Sequence, residues 1–258
     1  MPELPDLEVF ATNLEKRFKN KELKEIHFSH AGKLNVPVAE AKKTLEGQKV
    51  STIYRSGKTL HFKFKDDNIL QIHLMLHGEI HLSESDEKLK SELFRLTFKD
   101  SFALILTDFQ KAATATLNPE VPDVPDAFSP KLSAAQLKEI LAKKKGAIKT
   151  VLLDQKVLRG IGIAYADEIL WKSRISPFSV SKNIPEDQVS ELAKAIHSVL
   201  ANGIKQIKKS NPDQISGEVR DFMAIHNNKK KESPAGSTII IDKKSSRKTY
   251  YTDEQVLY

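Results

Sequence analysis

Leu152-Leu153-Asp154-Gln155-Lys156-Val157-Leu158-Arg159-Gly160-Ile161-Gly162-Ile163-Ala164-Tyr165-Ala166-Asp167-Glu168-Ile169-Leu170-Trp171 is the stretch on which the fold turns. Its apolar residues are spaced for helices, not strands. Ile148, Val151, Leu152 and Leu153 predict one helix, and Tyr165 to Trp171 another. Gly160-Ile161-Gly162 makes a tight break between them. Upstream, Ser133 with Gln136 three residues on is a capping signal. Leu137, Ile140 and Leu141 continue that helix, and Gly146 is expected to end it. Downstream, Pro185 opens a further helix whose face is Val189, Leu192, Ile196, Val199 and Leu200.

The period changes on the other side of Pro119, Pro122, Pro125 and Pro130, the clearest linker in the chain. Leu60, Phe62 and Phe64 alternate with His61, Lys63 and Lys65, the pattern of a half-buried strand. Arg55-Ser56-Gly57-Lys58 reads as the turn before it, and Asp66-Asp67-Asn68 as the turn after it. A second strand is expected through Leu70, Ile72, Leu74 and Leu76. Phe94, Leu96 and Phe98, then Phe102, Leu104 and Leu106, make another pair. Short antiparallel strands with regular turns predict a sandwich or barrel. Near the end, Thr238 to Ile241 and Arg247 to Tyr251 read as a last hairpin with a basic tip.

The first eight residues, Met1-Pro2-Glu3-Leu4-Pro5-Asp6-Leu7-Glu8, lead straight into an amphipathic helix with Leu7, Phe10, Ala11, Leu14 and Phe18 on one face. Pro5 suits its first turn, and Asp6 and Glu8 suit its positive end. If Met1 is removed, Pro2 becomes a secondary amine at a fixed place. An α-amino group has a reference pKa of about 8, so about a tenth of it is neutral and nucleophilic at pH 7. Such an amine attacks an aldehyde-like carbon to give an iminium. Read from the residues alone, Pro2-Glu3-Leu4-Pro5 is first of all a rigid lead-in to a helix.

The 258 residues suffice for one large or two moderate domains. A formal charge of +7 and a pI near 9.3 suit a polyanionic partner. There is no cysteine, which excludes disulfides and thiolate metal sites. No apolar run approaches the roughly 20 residues of a membrane span, and the acidic start is unlike a secretory signal.

Three separated blocks now coincide in order: Pro2-Glu3-Leu4-Pro5, then Leu152-Leu153-Asp154-Gln155 with Gly160-Ile161-Gly162 and Tyr165-Ala166-Asp167-Glu168, then Arg247-Lys248-Thr249-Tyr250-Tyr251. Together they resemble the formamidopyrimidine-DNA glycosylase and endonuclease VIII family. The resemblance covers nearly the whole chain, and its middle block is the specific one. It implies an α+β protein: an antiparallel β-sandwich with a leading helix over 1–117, a proline-rich linker over 118–132, a helical domain with a helix–two-turn–helix over 133–226, and a hairpin finger over 227–258. It implies a base-excision-repair DNA glycosylase for oxidised bases that also cleaves abasic sites by β-elimination, working as a monomer in the cytoplasm at the nucleoid.

By the same resemblance Pro2 is the nucleophile at C1′, Glu3 handles protons at the deoxyribose, and Lys58 is a phosphate and proton-transfer residue. DNA contacts fall to Asp6, Leu76, Gln110, Lys111, Lys156, Gly160, Gly162, Tyr165 and Arg247. The Gly160–Gly162 amides are expected to face the phosphates, as amides at a helix start do. The partner implied is damaged DNA, whether duplex, single-stranded or abasic. No metal or diffusible cofactor is needed.

The chain departs from the family at several places. The finger lacks the cysteines that bind zinc, so it reads as a zincless variant held by packing of Ile239, Ile241, Tyr250 and Tyr251. The usual glutamate at position 6 is Asp6, and the phosphate-binding asparagine after the two glycines is Ile163. Leu76 stands for a wedge methionine. Asp108-Phe109-Gln110-Lys111-Ala112-Ala113 has lost the wedge phenylalanine, and its base-reading arginine has become Gln110 or Lys111. These changes imply weak opposite-base discrimination and poorer action on intact duplex than on single strands or abasic sites. They also leave open a second reading, a non-catalytic or specialised DNA-binding member that is structure-selective.

Overall fold

The structure is a computed structural model and describes residues 1–84, 87–243 and 248–258. The expected phosphate contact Arg247 and the tip residue Lys244 lie outside the described residues. The chain forms two compact units. The first comprises Met1–Pro122 and Ile207–Glu218; the second comprises Asp123–Gln206 and Val219–Tyr258.

The first unit begins with helix α1 (Leu4–Phe18), whose face Leu7, Phe10, Ala11, Leu14 and Phe18 is buried as its spacing predicts. Strand β1 (Leu23–Phe28) and the short helix α2 (Val38–Leu45) follow. Then come β2 (Val50–Ser56), β3 (Thr59–Phe64), β4 (Ile69–His73), β5 (Glu79–Ser83), β6 (Glu92–Phe98), β7 (Ala103–Thr107) and β8 (Thr114–Leu117). They make two antiparallel four-stranded sheets, ordered β1-β6-β7-β5 and β2-β3-β4-β8. One apolar core joins both sheets to α1: Leu7, Phe10 and Phe18 pack with Phe62 and Phe64 of one sheet and Phe94, Leu96 and Phe98 of the other. Burying each such side chain is worth about 1.5–3 kcal/mol.

The expected extension of β4 through Leu74 and Leu76 does not occur. The strand stops at His73; Met75 takes a positive φ of 53° and the chain turns, so Leu74 is buried while Leu76 is exposed. Residues 207–218 also belong to this unit. Asn13 donates through its side-chain amide to the carbonyls of Pro212 and Gln214, and the Ile80 amide donates to Ser216 Oγ. The boundary expected at 133–226 is therefore crossed.

The second unit holds helices α3 (Ala134–Ala142), α4 (Ile148–Leu153), α5 (Ile163–Lys172) and α6 (Glu186–Ser210, its last four residues counted with the first unit), and a ribbon of β9 (Ile240–Asp242) and β10 (Thr249–Tyr251). Ser133 caps α3 by accepting from the Gln136 amide, as its sequence predicts. The helix ends at Ala142, four residues before Gly146. The chain around Pro125 is docked on this unit: Arg159 donates through Nε to the Val124 carbonyl at 2.8 Å, and Ala127 is buried. Among the described residues no helix is long and apolar enough to cross a membrane.

Candidate active site and nucleic-acid interface

In the first unit, Glu3 is the N-cap of α1. Its carboxylate accepts from the Asp6 backbone amide, while Asp6 Oδ2 accepts from the Glu3 amide at 2.9 Å. This reciprocal capping box fixes the backbone immediately after Pro2. Pro2, Glu3 and Asp6 are all buried, Asp6 completely. Asp6, expected among the DNA contacts, is engaged here within the protein. Its carboxylate faces inward, because it serves the helix start that presents Pro2 and Glu3. The Met1 ammonium pairs with Glu218.

Lys58 sits in the two-residue turn joining β2 to β3, with Ser56 paired to Thr59. Gly57 supplies the positive φ of 59° that such a Gly-x turn requires. The neighbouring Arg55 reaches two ways. Its Nε donates to Glu8 Oε2 of α1 at 2.7 Å, and its Nη1 donates to the Gly57 carbonyl at 3.2 Å. One guanidinium thus ties the Lys58 turn to the helix that carries Pro2 and Glu3. The Arg55 side chain is only 6% exposed, so the tie is shielded from solvent. Lys58 is also felt at the end of β4: burial, with the Lys58 ammonium nearby, holds His73 below the ordinary histidine range. The His73 Nδ1 accepts from the Met75 amide at 2.9 Å, which puts the proton of a neutral ring on Nε2.

Two tips of this unit carry the residues expected to read or wedge the duplex. Leu76 is 55% exposed, and Gln110 and Lys111 are exposed beyond β7. Asp108 organises the second tip, with its carboxylate accepting from the amides of Gln110, Ala112 and Ala113 at 2.8–2.9 Å. Burial pushes this carboxyl up, but the three amides together outweigh it and hold it below the usual range.

In the second unit, Gln155 braces the turn between α4 and α5. Its side chain donates to the carbonyls of Leu153 and Ile161 and accepts from the Gly160 amide at 2.9 Å. The Gly160 amide, expected to face a phosphate, is thus engaged within the turn. Gly162 is the N-cap of α5, and Ile163 is half-buried at its first turn. Lys156 is exposed on the same turn, with its amide on Asp154 Oδ1. Tyr165, also expected among the DNA contacts, is 1% exposed. The ring is core, packed where a Cβ on Gly203 would lie 2.6 Å from its hydroxyl.

The sequence matches the formamidopyrimidine-DNA glycosylase N-terminal domain over residues 1–115 and the H2TH domain of the same glycosylase over 124–214. It is 32% identical to the formamidopyrimidine-DNA glycosylase of Lactobacillus gasseri over 216 residues, 80% of this chain and 78% of the relative. The chain belongs to the formamidopyrimidine-DNA glycosylase family. The Streptococcus pneumoniae member is 27% identical over 93% of both chains. The fold superposes on Lactococcus lactis Fpg in complex with an abasic-site-containing DNA at a TM-score of 0.87, with 25% identity, 98% of this chain and 99% of that one. A second Lactococcus lactis Fpg complex, with N7-benzyl-Fapy-dG-containing DNA, aligns equally well at 26% identity.

The C-terminal hairpin is held without a metal site that its described residues could form. It has no cysteine, and among the described residues no group of three or more ligating side chains could hold a metal. The residues present do not fit zinc. Two carboxylate nodes hold the hairpin instead. Asp167 of α5 is fully buried: Oδ1 pairs with Lys149 Nζ at 2.6 Å, and Oδ2 accepts from the Tyr250 amide and meets His226 Nδ1 at 2.8 Å. Lys149 also donates to the Lys248 carbonyl and to Thr249 Oγ1. The adjacent Glu168 accepts from the amides of Ala224, Ile225 and His226, each at 2.8 Å.

The second node is Glu254, which accepts from Trp171 Nε1, Ser233 Oγ and Thr252 Oγ1 at 2.8–3.0 Å and pairs with Arg174. Burial pushes its carboxyl up, yet these donors win and bring it down to about 2. Packing is only part of the story expected from sequence. Ile239 and Tyr250 are buried with Ile225, but Ile241 is 37% exposed and contributes little. No spacing rule signals these nodes. The adjacent acids Asp167-Glu168 on an apolar helix were the one available hint.

Proposed function

We propose that the protein is a DNA glycosylase for oxidised bases that also cleaves the resulting abasic site, with the Pro2 amine as nucleophile once Met1 is removed. The observation that carries this reading is a single helix start. The capping box fixes Pro2 and Glu3, and the Arg55–Glu8 pair ties the Lys58 turn to the same helix. Family membership supports the reading, and the DNA in the two Lactococcus complexes supports the partner.

In this mechanism the target nucleotide is turned out of the duplex, because C1′ is unreachable inside the stack. The Pro2 nitrogen lone pair forms a bond to C1′, and the glycosidic bond breaks with its electrons leaving on the base, which takes a proton. Glu3 donates a proton to the ring oxygen as the sugar opens to an iminium. The iminium acidifies C2′. Loss of that proton and cleavage of the C3′–O bond release the strand on the 3′ side of the sugar, with the phosphate left on its 5′ end. Lys58 neutralises phosphate charge beside the reacting sugar. Exposed Lys156, with Gly162 at the start of α5, is assigned to the flanking phosphates; Gln110 and Lys111 are assigned to the bases left behind.

Borohydride trapping on an abasic oligonucleotide tests this. Mass spectrometry first establishes that Met1 is absent. A covalent protein–DNA adduct is expected. No adduct from the processed protein overturns the reading. Ile163, in place of a phosphate-binding side chain, favours a second reading of structure-selective binding without chemistry. A Pro2→Gly protein that retains every activity would support that alternative.

A further inference from the structure

Two neighbouring turns of the first unit expose large apolar side chains side by side. Phe109 is 67% exposed, Leu76 55% and Met75 39%. Their contact is direct, since the Phe109 and His77 rings lie 4.5 Å apart at 42°. Neither turn is loose. Asp108 gathers three amides beneath Phe109. The other turn is closed by the Gly78 amide on the Leu74 carbonyl and by the Met75 amide on His73. Gly78 is also required there, as a Cβ would fall 2.3 Å from the Leu74 carbonyl oxygen. Rigid turns that hold an unburied phenylalanine against an imidazole are costly to leave in water, and they suit an aromatic partner. The register of β3 on β4, Leu60 opposite Ile72, brings the Lys58 turn, assigned to the sugar phosphate, to the end of β4 from which this patch continues.

We propose that Phe109, backed by His77, enters the base stack beside the extruded nucleotide and stacks on the unpaired opposite base, with Leu76 filling the remaining gap. This rests on the glycosylase reading above. The ring compensates for the aromatic missing at Ala112, three residues later in the same turn. A ring face accepts any base, so recognition by stacking tolerates all four opposite bases, purines more strongly than pyrimidines.

The test uses duplexes carrying an abasic site with 2-aminopurine opposite it, and the same abasic strand alone. The parent protein is expected to change the 2-aminopurine fluorescence on binding. Phe109→Ala should abolish that change and lower duplex affinity about tenfold to a hundredfold, the range for loss of one base–aromatic stack. It should also lower the ratio of duplex to single-strand affinity. Phe109→Trp should restore signal and ratio. Phe178→Ala, at another exposed phenylalanine (42% exposed), is the control and should behave as the parent. Thermal unfolding of each variant checks the fold, which exposed substitutions leave nearly unchanged. Parental fluorescence and duplex affinity in Phe109→Ala would overturn the proposal, as would failure of Phe109→Trp to restore a lost signal. Because these readouts are binding and fluorescence, a missing borohydride adduct would refute the chemistry without touching this result.

Discussion

Glu254→Gln removes the charge at the centre of the hairpin's second node while keeping its shape. In the parent the folded carboxyl sits at about 2, against a reference of 4.5. Its contribution to stability is therefore complete above about pH 4.5 and is lost as pH falls toward 2. A difference of that size corresponds to at most about 3 kcal/mol. The side chain is 9% exposed at the edge of the hairpin, and screening leaves about 1–2 kcal/mol. For a protein of this size that is roughly 3–6 °C in melting temperature. The chain offers a local probe, since its one tryptophan, Trp171, donates its indole N–H to Glu254. In the folded parent, intrinsic fluorescence should stay flat from about pH 4.5 to 3 and then titrate with a midpoint near 2, a step that Glu254→Gln should lack. Far-UV dichroism should follow unfolding separately. A parent emission that ignores acid while the fold persists, or a variant that melts with the parent, would refute the reasoning.

Asp167→Asn should be harsher, because it leaves the Lys149 ammonium buried without its counter-charge; a loss of about 3–5 kcal/mol in chemical denaturation is expected. Gly203→Ala, ordinarily stabilising within a helix, should instead cost about 1–3 kcal/mol, since the new methyl meets the buried Tyr165 ring. Phe10→Ala opens the sandwich core and should cost about 3–5 kcal/mol by the same assay. Arg55→Lys keeps the charge but not the two-way reach, and should slow borohydride trapping about tenfold with Lys58 intact.

The periodicities of Phe10, Phe62 and Phe94 were legible because each faces one apolar core, and burial alone sets such spacing. The weaker elements were not. β1, α2, β5 and β8 are short and half-polar, so their identity comes from pairing partners far along the chain. Leu74 and Leu76 look like strand residues, yet a backbone turn at Met75 separates them. At the site, Pro2, Glu3 and Lys58 were visible as residue types in local motifs. Asp6 and Tyr165 were visible too, but as surface contacts; only the structure shows both turned inward. The Arg55–Glu8 tie and the Asp167–Lys149 pair join residues 47 and 18 positions apart, beyond any local pattern. Phe109 was hidden for another reason: a phenylalanine in a turn reads as core until its exposure is known.

The carboxylate-held hairpin has a consequence for survival under oxidative stress. Oxidants disable a thiolate site by climbing from sulfenic to sulfonic acid, and chelators disable it by taking the metal. Carboxylates, an indole and hydroxyls at the Glu254 node offer no such handle. Peroxide and chelator treatments that open a zinc-bound finger would leave this hairpin closed, so the protein could go on working in the conditions that damage its DNA.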